Sequence, residues 1–507
     1  KHFQDYLKLS RSQSAWVQFA HYLGYFLIAL PAGALCRKLG YKGGILTGLA
    51  VVALGAFWFI PATYIGAFWS FLLGVCVIAM GLTFLETIAN PYTTVLGHKD
   101  LASARINFAQ SCNGIGFMLG PIIGGMFFYA SDDVSKNQET LYVPYLAVGI
   151  IVVILAVIFS FAKIPDLQTE DAYNIDADEN DAVLSAKFLN KRGVTGLAMG
   201  LLGGALTGGG YFAYEMSLDV AARMGTWELS VSVALCLIGS TLLGFIIGNY
   251  LELWKHLHVA GGVFSQFLYV AAQAGIFSFF INYIVADMPP VSKGFSDLLQ
   301  SFRNIFPGDG QVILSQPDGL NFINEAGATM LQGWVAFGLL VLGRFVGGFV
   351  LKKISPHKVL GIYGVINAIL MVIVFLQLGW ISVVAVFASF FFMSIMFPTI
   401  FALSIFGLGK KAKLASSFLV MAIMGGAIMP KLMGWFSDHY GHVDFQNGIG
   451  HYGRIMDATA EHVNHNLMSP GFIVPLFCFA IISLYGFSWA KLSKTEGAIK
   501  IDTSKGH

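Results

Sequence analysis

Long apolar stretches separated by short polar segments make up almost the whole chain. A helix needs about 20 mainly apolar residues to cross a bilayer, whereas the short alternating strands typical of a membrane barrel are absent. The pattern predicts thirteen membrane-spanning helices: 14–35, 44–61, 66–90, 104–130, 143–162, 193–213, 229–250, 259–285, 329–351, 358–378, 380–407, 415–435 and 470–490. The expected fold class is therefore an all-α polytopic membrane protein.

Composition agrees with this pattern. Of the 507 residues, 56% are hydrophobic and only 11% are charged, whereas about a quarter of the residues in a soluble domain are charged. So few charges exclude a water-soluble enzyme and make the lipid bilayer a partner of the chain. The net charge of +2 argues against a nucleic-acid partner. The five Cys lie in or beside apolar stretches without CxxC spacing, so we expect neither a cofactor nor a metal.

The basic residues are distributed unevenly between alternate loops. Of the 30 Lys and Arg residues, 20 lie in loops 36–43, 97–105, 163–192, 251–258, 352–358, 408–414 and 491–507, and 8 lie in the other set. Because cytoplasmic loops are rich in Lys and Arg, the first set, with the C-terminus, is predicted to be cytoplasmic. Lys1 is then outside, so we expect one further span before it. The predicted location is the inner membrane of a bacterium.

An internal repeat divides the chain into halves, as in many transporters. Asn90-Pro91, a basic loop and a Gly-rich helix are followed at a similar spacing in the second half by Phe397-Pro398, a basic loop and another Gly-rich helix. Gly-then-basic turns also recur, at 33–42 and 348–358. We expect an N-terminal bundle (1–163), a central linker with two extra helices (164–256), a C-terminal bundle (257–490) and a cytoplasmic tail (491–507).

Glu86 is the most informative single residue, because it lies in an apolar run. An intramembrane carboxylate costs at least about 2.5 kcal/mol at the centre of a lone helix and usually faces a cavity or a partner. Such a group can bind and release a proton, so we predict that Glu86 couples transport to protons. The alternative is a structural Glu that is hydrogen-bonded between helices.

Carboxamides around Glu86 form a candidate substrate site. Asn90 is one helical turn beyond Glu86, and Gln110 and Asn113 share a helix face. Two carboxamides offer the donors and acceptors that the hydroxyls of a sugar need. The Gly residues that follow, at 114, 116, 120, 124 and 125, are interpreted as a packing stripe.

Two further helices carry polar and aromatic stripes. Tyr269 and Gln273 lie with Gln266 at i, i+3 and i+7, which suits the apolar faces and hydroxyls of a pyranose. The same span contributes Asn282. The earliest span adds Gln18 and Tyr22, together with His21 and Tyr25; His21 is either a proton carrier or a hydrogen-bonded interior residue.

Two alternative interpretations concern the role of Arg344 and an enzymatic function. Arg344 lies inside an apolar run, where it either pairs with a carboxylate or, as we favour, snorkels toward the cytoplasmic end. A membrane-embedded enzyme would need a nucleophile, metal cluster or paired carboxylates, and no HExxH or GxSxG motif occurs. The His residues of 439–465 lie in an outer loop and are interpreted as solvated.

Both the two-half organisation and several motifs resemble a known family. The chain resembles the major facilitator superfamily and, within it, the fucose:proton symporters of bacteria, although Cys36 stands where the superfamily loop often has Asp. The matching stretches are 18–33, 81–97 (GLTFLETIANPYTTVLG), 107–116 (NFAQSCNGIG), 266–283, 343–345, 355–360, 393–401 and 416–426.

This resemblance implies proton-coupled import of a hexose or 6-deoxyhexose of the fucose or glucose/galactose type by alternating access. It places the coupling carboxylate at Glu86 and sugar contacts at Gln110 and Asn113, with Gln273 a further contact. A second functional Asp of the family has no equivalent here, and the usual count of twelve spans also differs. Sodium coupling or an amino-sugar cargo such as N-acetylglucosamine stays an alternative. We expect a monomer that is not an enzyme.

Overall fold

A computed structural model describes residues 11–96, 101–128, 142–162, 251–254, 256–305, 311–408, 411–441, 451–453 and 467–493. The chain divides into two compact units, one formed by 1–172 with 261–491 and the other by 173–260 with 492–507. The predicted spans 193–213 and 229–250 lie outside the described residues, so the total of thirteen stays a prediction.

The described part of the chain is mostly helical. Its first seven α-helices are α1 Arg11–Ile65, α2 Phe68–Val95, α3 Ala102–Phe128, α4 Val143–Phe161, α5 Leu251–Trp254, α6 Leu257–Asp287 and α7 Lys293–Arg303. The remaining ones are α8 Glu325–Met330, α9 Phe337–Val350, α10 Pro356–Phe375, α11 Trp380–Met393, α12 Met396–Ile405, α13 Ala412–Met421, α14 Gly425–Tyr440 and α15 Ile473–Leu492.

Each of the eleven predicted spans within the described residues coincides with helix. Among these residues, nine helices are long and apolar enough to cross a membrane: Leu39–Ile65, Phe68–Thr94, Val143–Phe161, Leu257–Asp287, Glu325–Val350, Pro356–Phe375, Trp380–Ile405, Leu414–Tyr440 and Ser469–Leu492. The other two predicted spans correspond to the shorter apolar helix Phe19–Leu35 and to α3. The structure is therefore that of a polytopic helical membrane protein.

Helix α1 contains two spans that are separated at Gly40. The backbone there has φ 70° and ψ −175°, outside the helical region, and a positive φ is a conformation that Gly adopts without the steric cost of a Cβ. The break falls inside the predicted basic turn 36–43. One continuous helix in the secondary structure thus contains the two predicted spans 14–35 and 44–61.

Small residues bring the helices of the first half close together. A Cβ added at Gly55 would lie 2.6 Å from the Ile78 backbone nitrogen, and one at Gly81 would lie 2.5 Å from that of Val52. Without hydrophobic driving force in lipid, such close backbone approach supplies the dispersion contacts that hold membrane helices together. Helices α1 and α2 consequently pack along most of their length.

Helix α4 shows where lipid must lie. Its long apolar side chains are exposed, Ile151 to 57% and Ile154 to 54% for example, whereas a soluble monomer rarely leaves such a continuous patch uncovered. A hydrocarbon environment accounts for this surface, since lipid tails are as apolar as the side chains themselves.

The segment between α6 and α8, read from the sequence as a long loop, has structure of its own. It contains α7, whose first turn is capped by the Ser292 hydroxyl accepting from the Phe295 N–H at 3.4 Å, and an antiparallel pair of strands, β1 Ile313–Ser315 and β2 Asn321–Ile323. The segment starts at Asp287, a buried carboxylate that accepts the backbone N–H groups of Met468 and Ser469 at 2.8 and 2.9 Å. This carboxylate joins the end of α6 to the start of the last span.

Candidate functional site

Glu86 lies on α2 beside the first half of α1. The Tyr25 hydroxyl, on a side chain only 5% exposed, donates to Glu86 Oε1 at 3.2 Å. The other carboxylate oxygen, Oε2, is buried and accepts from no described residue. Burying a polar atom without a partner costs free energy, so this oxygen is suited to carry a proton or to accept from a ligand.

Three carboxamides form a hydrogen-bonded chain next to this carboxylate. Gln110 Nε2 donates to Asn90 Oδ1 at 2.9 Å, and Asn113 Nδ2 donates to Gln110 Oε1 at 2.9 Å. Asn90 and Gln110 are buried, 5% and 8% exposed, whereas Asn113 is exposed. The chain thus leads from the interior to an accessible surface, and the three residues predicted to bind substrate on α2 and α3 are brought together.

Beyond Asn113, helix α3 borders open space. Gly116 and Gly120 follow Asn113 on the same helix face, and a Cβ at either would meet no atom within 4 Å among the described residues. Gly114, by contrast, packs against Val341, 3.1 Å from its added Cβ. Among the described residues, Gly114 thus fits the interpretation of these glycines as a packing stripe, whereas Gly116 and Gly120 have open space where a neighbouring helix would pack.

Arg344 connects the two halves of the chain at this site. The side chain is only 2% exposed; its Nε donates to the Ser394 carbonyl at 3.1 Å and its Nη1 to the Gln110 carbonyl. It also interacts electrostatically, but not in a direct ion pair, with Glu86. The expectation that Arg344 snorkels is wrong, because two buried backbone carbonyls satisfy its donors in the interior.

The second-half side of the site is aromatic. The Tyr269 hydroxyl donates to the Met393 carbonyl at 3.0 Å, and its ring lies 6.2 Å from that of Phe397. Tyr269 is fully buried, and the Met393 carbonyl that it contacts adjoins Ser394, whose carbonyl accepts from Arg344. Tyr269 therefore lies next to the residues that contact Arg344, with its hydroxyl already occupied by the backbone.

Gln273 and Asn282 are not joined to this network by a hydrogen bond within the described structure. Gln273 shares the face of Tyr269 and is half-buried, so it lines the same side. Asn282 is exposed and lies nine residues on, which turns it by about 180° around the helix relative to Gln273. The two side chains therefore cannot serve one ligand from one face of α6.

Tyr22 lies at a close contact between the two halves. A Cβ added at Gly426 would overlap the Tyr22 ring and hydroxyl, and the Tyr22 ring packs edge-on to that of His21 at 5.5 Å. Gln18 is within α1, but its side chain lies outside the described part. The described structure therefore places Tyr22 near the site and does not test Gln18.

Two contacts of the site were not predicted from the sequence: that of Tyr25 with the Glu86 carboxylate, and that of Asn107 between the two halves. Tyr25 was recognised only as part of a stripe with His21, and its pairing with Glu86, 61 residues away, carries no sequence signal. Asn107 was noted only within a matching stretch, yet its Nδ2 donates to Thr399 Oγ1 of the second half at 3.3 Å. Among the described residues, no group of three His, Cys, Asp or Glu could hold a metal ion.

These features define a class: a helical membrane protein of two halves that meet at a buried carboxylate, a guanidinium and a chain of carboxamides. A family model described as Major Facilitator Superfamily matches residues 1–291, and the chain belongs to this superfamily. Its members are transporters rather than enzymes, so the transporter class expected from the sequence is confirmed.

Two individual relatives are similar to the chain over most of its length. The chain is 29% identical over 501 residues to the L-fucose-proton symporter of Escherichia coli (strain K12), covering 95% of this chain and 86% of that protein. It is 26% identical over 493 residues to the glucose/galactose transporter of Brucella abortus biovar 1 (strain 9-941), covering 97% and 88%. The resemblance to the fucose:proton symporters is thereby confirmed.

A solved structure of a transporter from the same superfamily is also similar to this chain. The chain is similar to the MFS transporter FucP in the outward conformation, with a TM-score of 0.62, 27% identity, and coverage of 96% of this chain and 92% of that one. The proton:xylose symporter XylE, at 12% identity and a TM-score of 0.50, shares the fold alone.

Proposed function

We propose that this protein imports a hexose or 6-deoxyhexose together with a proton by alternating access. The observation that carries the proposal is the Glu86 carboxylate, with one oxygen held by Tyr25 and the other without a partner. It lies beside carboxamides that lead outward to the exposed Asn113. The names of the relatives, a fucose-proton symporter and a glucose/galactose transporter, support the same substrate class.

In this mechanism the empty, outward-facing protein takes a proton onto Glu86 Oε2. Neutralising the carboxylate removes the cost of an intramembrane charge and weakens its electrostatic interaction with Arg344. The sugar binds where amide donors and acceptors meet the aromatic side, with hydroxyls at Asn113 and Gln110 and C–H faces toward Tyr269 and Gln273. Gln18, Tyr22 and Asn90 complete the proposed site.

After the two halves rock against each other, sugar and proton leave on the other side. The distribution of basic loops supports an orientation with the C-terminus in the cytoplasm of a bacterium and the bundles in its inner membrane. A single chain carries both halves of the site, which supports transport by a monomer.

The test is Glu86→Gln, which keeps the size and hydrogen-bonding groups of the side chain but cannot ionise. We expect uphill sugar accumulation in proteoliposomes with an inward proton gradient to fall by roughly 100-fold or more, while exchange of labelled for unlabelled sugar continues. Glu325→Gln, the same change at an exposed helix start, is the matched control and keeps both activities. Undiminished uphill uptake by Glu86→Gln would refute the role of Glu86.

The coupling ion and cargo are separable in the same vesicles. Accumulation of fucose, galactose, glucose and N-acetylglucosamine is compared under a proton gradient and under a sodium gradient. We expect the proton gradient alone to drive uptake of a neutral hexose. Accumulation that follows only the sodium gradient, or only N-acetylglucosamine, would replace the proposal by its alternative.

A further inference from the structure

Several buried polar atoms near Glu86 have no protein partner. Among the described residues these are Glu86 Oε2, Asn90 Nδ2, Thr87 Oγ1 and Asn107 Oδ1. Orphaned polar atoms in a protein interior are costly, and where they occur in polar surroundings, buried waters commonly supply the missing hydrogen bonds. Four such atoms on two adjoining helices form a group rather than isolated defects.

The spacing of Glu86, Asn90 and Asn107 along the two helices arranges three of these side chains as a column. Asn90 lies four residues beyond Glu86 on α2, about 6 Å further along the helix axis. Gln110, which donates to Asn90, places α3 alongside, and Asn107 lies three residues before Gln110, about 4.5 Å nearer the start of α3. Each step can be bridged by one or two waters, since hydrogen bonds between oxygen atoms are about 2.8 Å long.

The column follows the seam between the two halves. Asn107 Nδ2 donates to the Ser103 carbonyl at 2.7 Å and to Thr399 Oγ1 at 3.3 Å, which fixes the amide so that its oxygen is left over. On α2, about one turn before Asn90, the Thr87 carbonyl accepts from the Ser416 hydroxyl of the second half at 3.2 Å. The column ends at Asn107, about 9 Å along the helix axis from Leu101, which is 38% exposed at the start of α3.

We propose that this column, lined by Asn90 and Asn107, holds an internal water chain through which the proton leaves Glu86 toward the start of α3. The proposal rests on the proposed function, because it needs a proton on Glu86. The Glu86 Oε2–H bond breaks as the first water gains that proton, and each water passes one proton to the next. One proton enters the cytoplasmic solvent and Glu86 returns to the carboxylate. Asn107 acts as a positioning residue for the chain.

Asn107→Leu tests this in proteoliposomes, since it keeps the side-chain volume and removes the amide. Two activities are measured: sugar exchange at equal pH, which needs no net proton release, and lumenal acidification, by an entrapped dye, during sugar influx. We expect acidification and uphill uptake to fall roughly 10-fold or more while exchange stays within about 2-fold of the unsubstituted protein. Asn107→Ser, which restores a hydroxyl, recovers at least half of the loss.

Asn367→Leu is the matched control. Asn367 is also fully buried with an unpartnered Oδ1, but its Nδ2 contacts Met396 Sδ within the second half. We expect this variant to keep the unsubstituted ratio of acidification to exchange. If Asn367→Leu shows the same selective loss of acidification, buried Asn residues in general, and not this column, produce the effect.

Two results overturn the proposal. If Asn107→Leu lowers exchange and acidification in parallel, Asn107 only holds the halves together through Thr399. If Asn107→Leu leaves acidification intact while Glu86→Gln abolishes it, the proton leaves by another route and only this inference fails. Absence of sugar-dependent acidification in the unsubstituted protein instead refutes the proposed function, and the water chain with it.

Discussion

The two halves of the chain contribute unlike surfaces to the site. The first half supplies a carboxylate and a hydrogen-bonded chain of carboxamides at Asn90, Gln110 and Asn113. The second half supplies rings: Phe277 stacks on Phe390 at 5.0 Å with an interplanar angle of 13°. The two halves of a related sequence repeat thus differ: one contributes a polar wall, which can exchange protons and bind hydroxyls, and the other a mainly aromatic wall, which contributes packing surface.

Arg344 is an exception to this division. It is a charged residue of the aromatic wall that donates to a backbone carbonyl in each half, at Gln110 and Ser394. Because these acceptors are neutral, its charge is left to interact with Glu86 across the site. Among the described residues, Arg344 thus links the two halves both by hydrogen bonds and by its charge.

The largest effect is expected from Arg344→Lys. Lysine keeps the charge but not the planar set of donors that reaches two carbonyls at once. We expect the free energy of unfolding to fall by on the order of 3 kcal/mol and sugar transport to fall roughly 100-fold, measured by thermal unfolding in detergent and by uptake. Arg303→Lys on α7, away from both walls, is the matched control. Normal uptake by Arg344→Lys would show that charge alone suffices.

A middle-sized effect is expected from removing the carboxamide at the centre of the polar wall. Gln110→Leu deletes two hydrogen bonds and leaves Asn90 Oδ1 and Asn113 Nδ2 without those partners. We expect the dissociation constant for sugar, measured by calorimetry, to rise about 10- to 100-fold, equivalent to about 1.4–2.8 kcal/mol.

Gln266→Leu provides the matching change in the aromatic wall. Gln266 is fully buried on α6 and neither of its amide atoms has a protein partner, so leucine removes unsatisfied polar atoms rather than hydrogen bonds. We expect an equal or higher free energy of unfolding. If Gln266→Leu and Gln110→Leu lose sugar affinity alike, the division into polar and aromatic walls is wrong.

The smallest effect is expected from Tyr269→Phe. Only the hydroxyl bond to the Met393 carbonyl is lost, worth about 1 kcal/mol of stability, while the ring stays against Phe397. Sugar affinity should change by less than about 3-fold, whereas Tyr269→Ala, which removes the ring, should lower affinity by about 10-fold or more. Equal losses in the two variants would assign the role of Tyr269 to its hydroxyl.

The positions of the helices could be predicted because a span must be mainly apolar to lie in hydrocarbon, so that each span is visible as a long apolar run. All eleven predicted spans within the described residues are helical, with ends that differ by a few residues. The same rule drew attention to Glu86, because a carboxylate within a membrane span costs free energy and is expected to have a partner or a function. The carboxamides at Asn90, Gln110 and Asn113 followed from helical spacing on either side of a short loop.

What escaped prediction depended on contacts between distant segments or on the rotation of a helix. Asn282 belongs to the same polar-looking span as Gln273, but a rotation of about 180° separates them. Arg344 looked able to reach the interface along its stem, yet two carbonyls, one 234 residues away, hold it inside. No local pattern encodes either outcome, because each depends on which helix is the neighbour.

The sequence by itself determined that this protein is a helical membrane transporter of two halves, and which polar residues lie within its spans, because the cost of polar groups in lipid acts residue by residue. Only the tertiary structure decided how these residues combine. Tyr25 became the partner of one Glu86 oxygen and left the other open, and Arg344 became the link between the halves. Hydrogen bonds act over about 3 Å, so they are determined by helix packing and not by position along the chain.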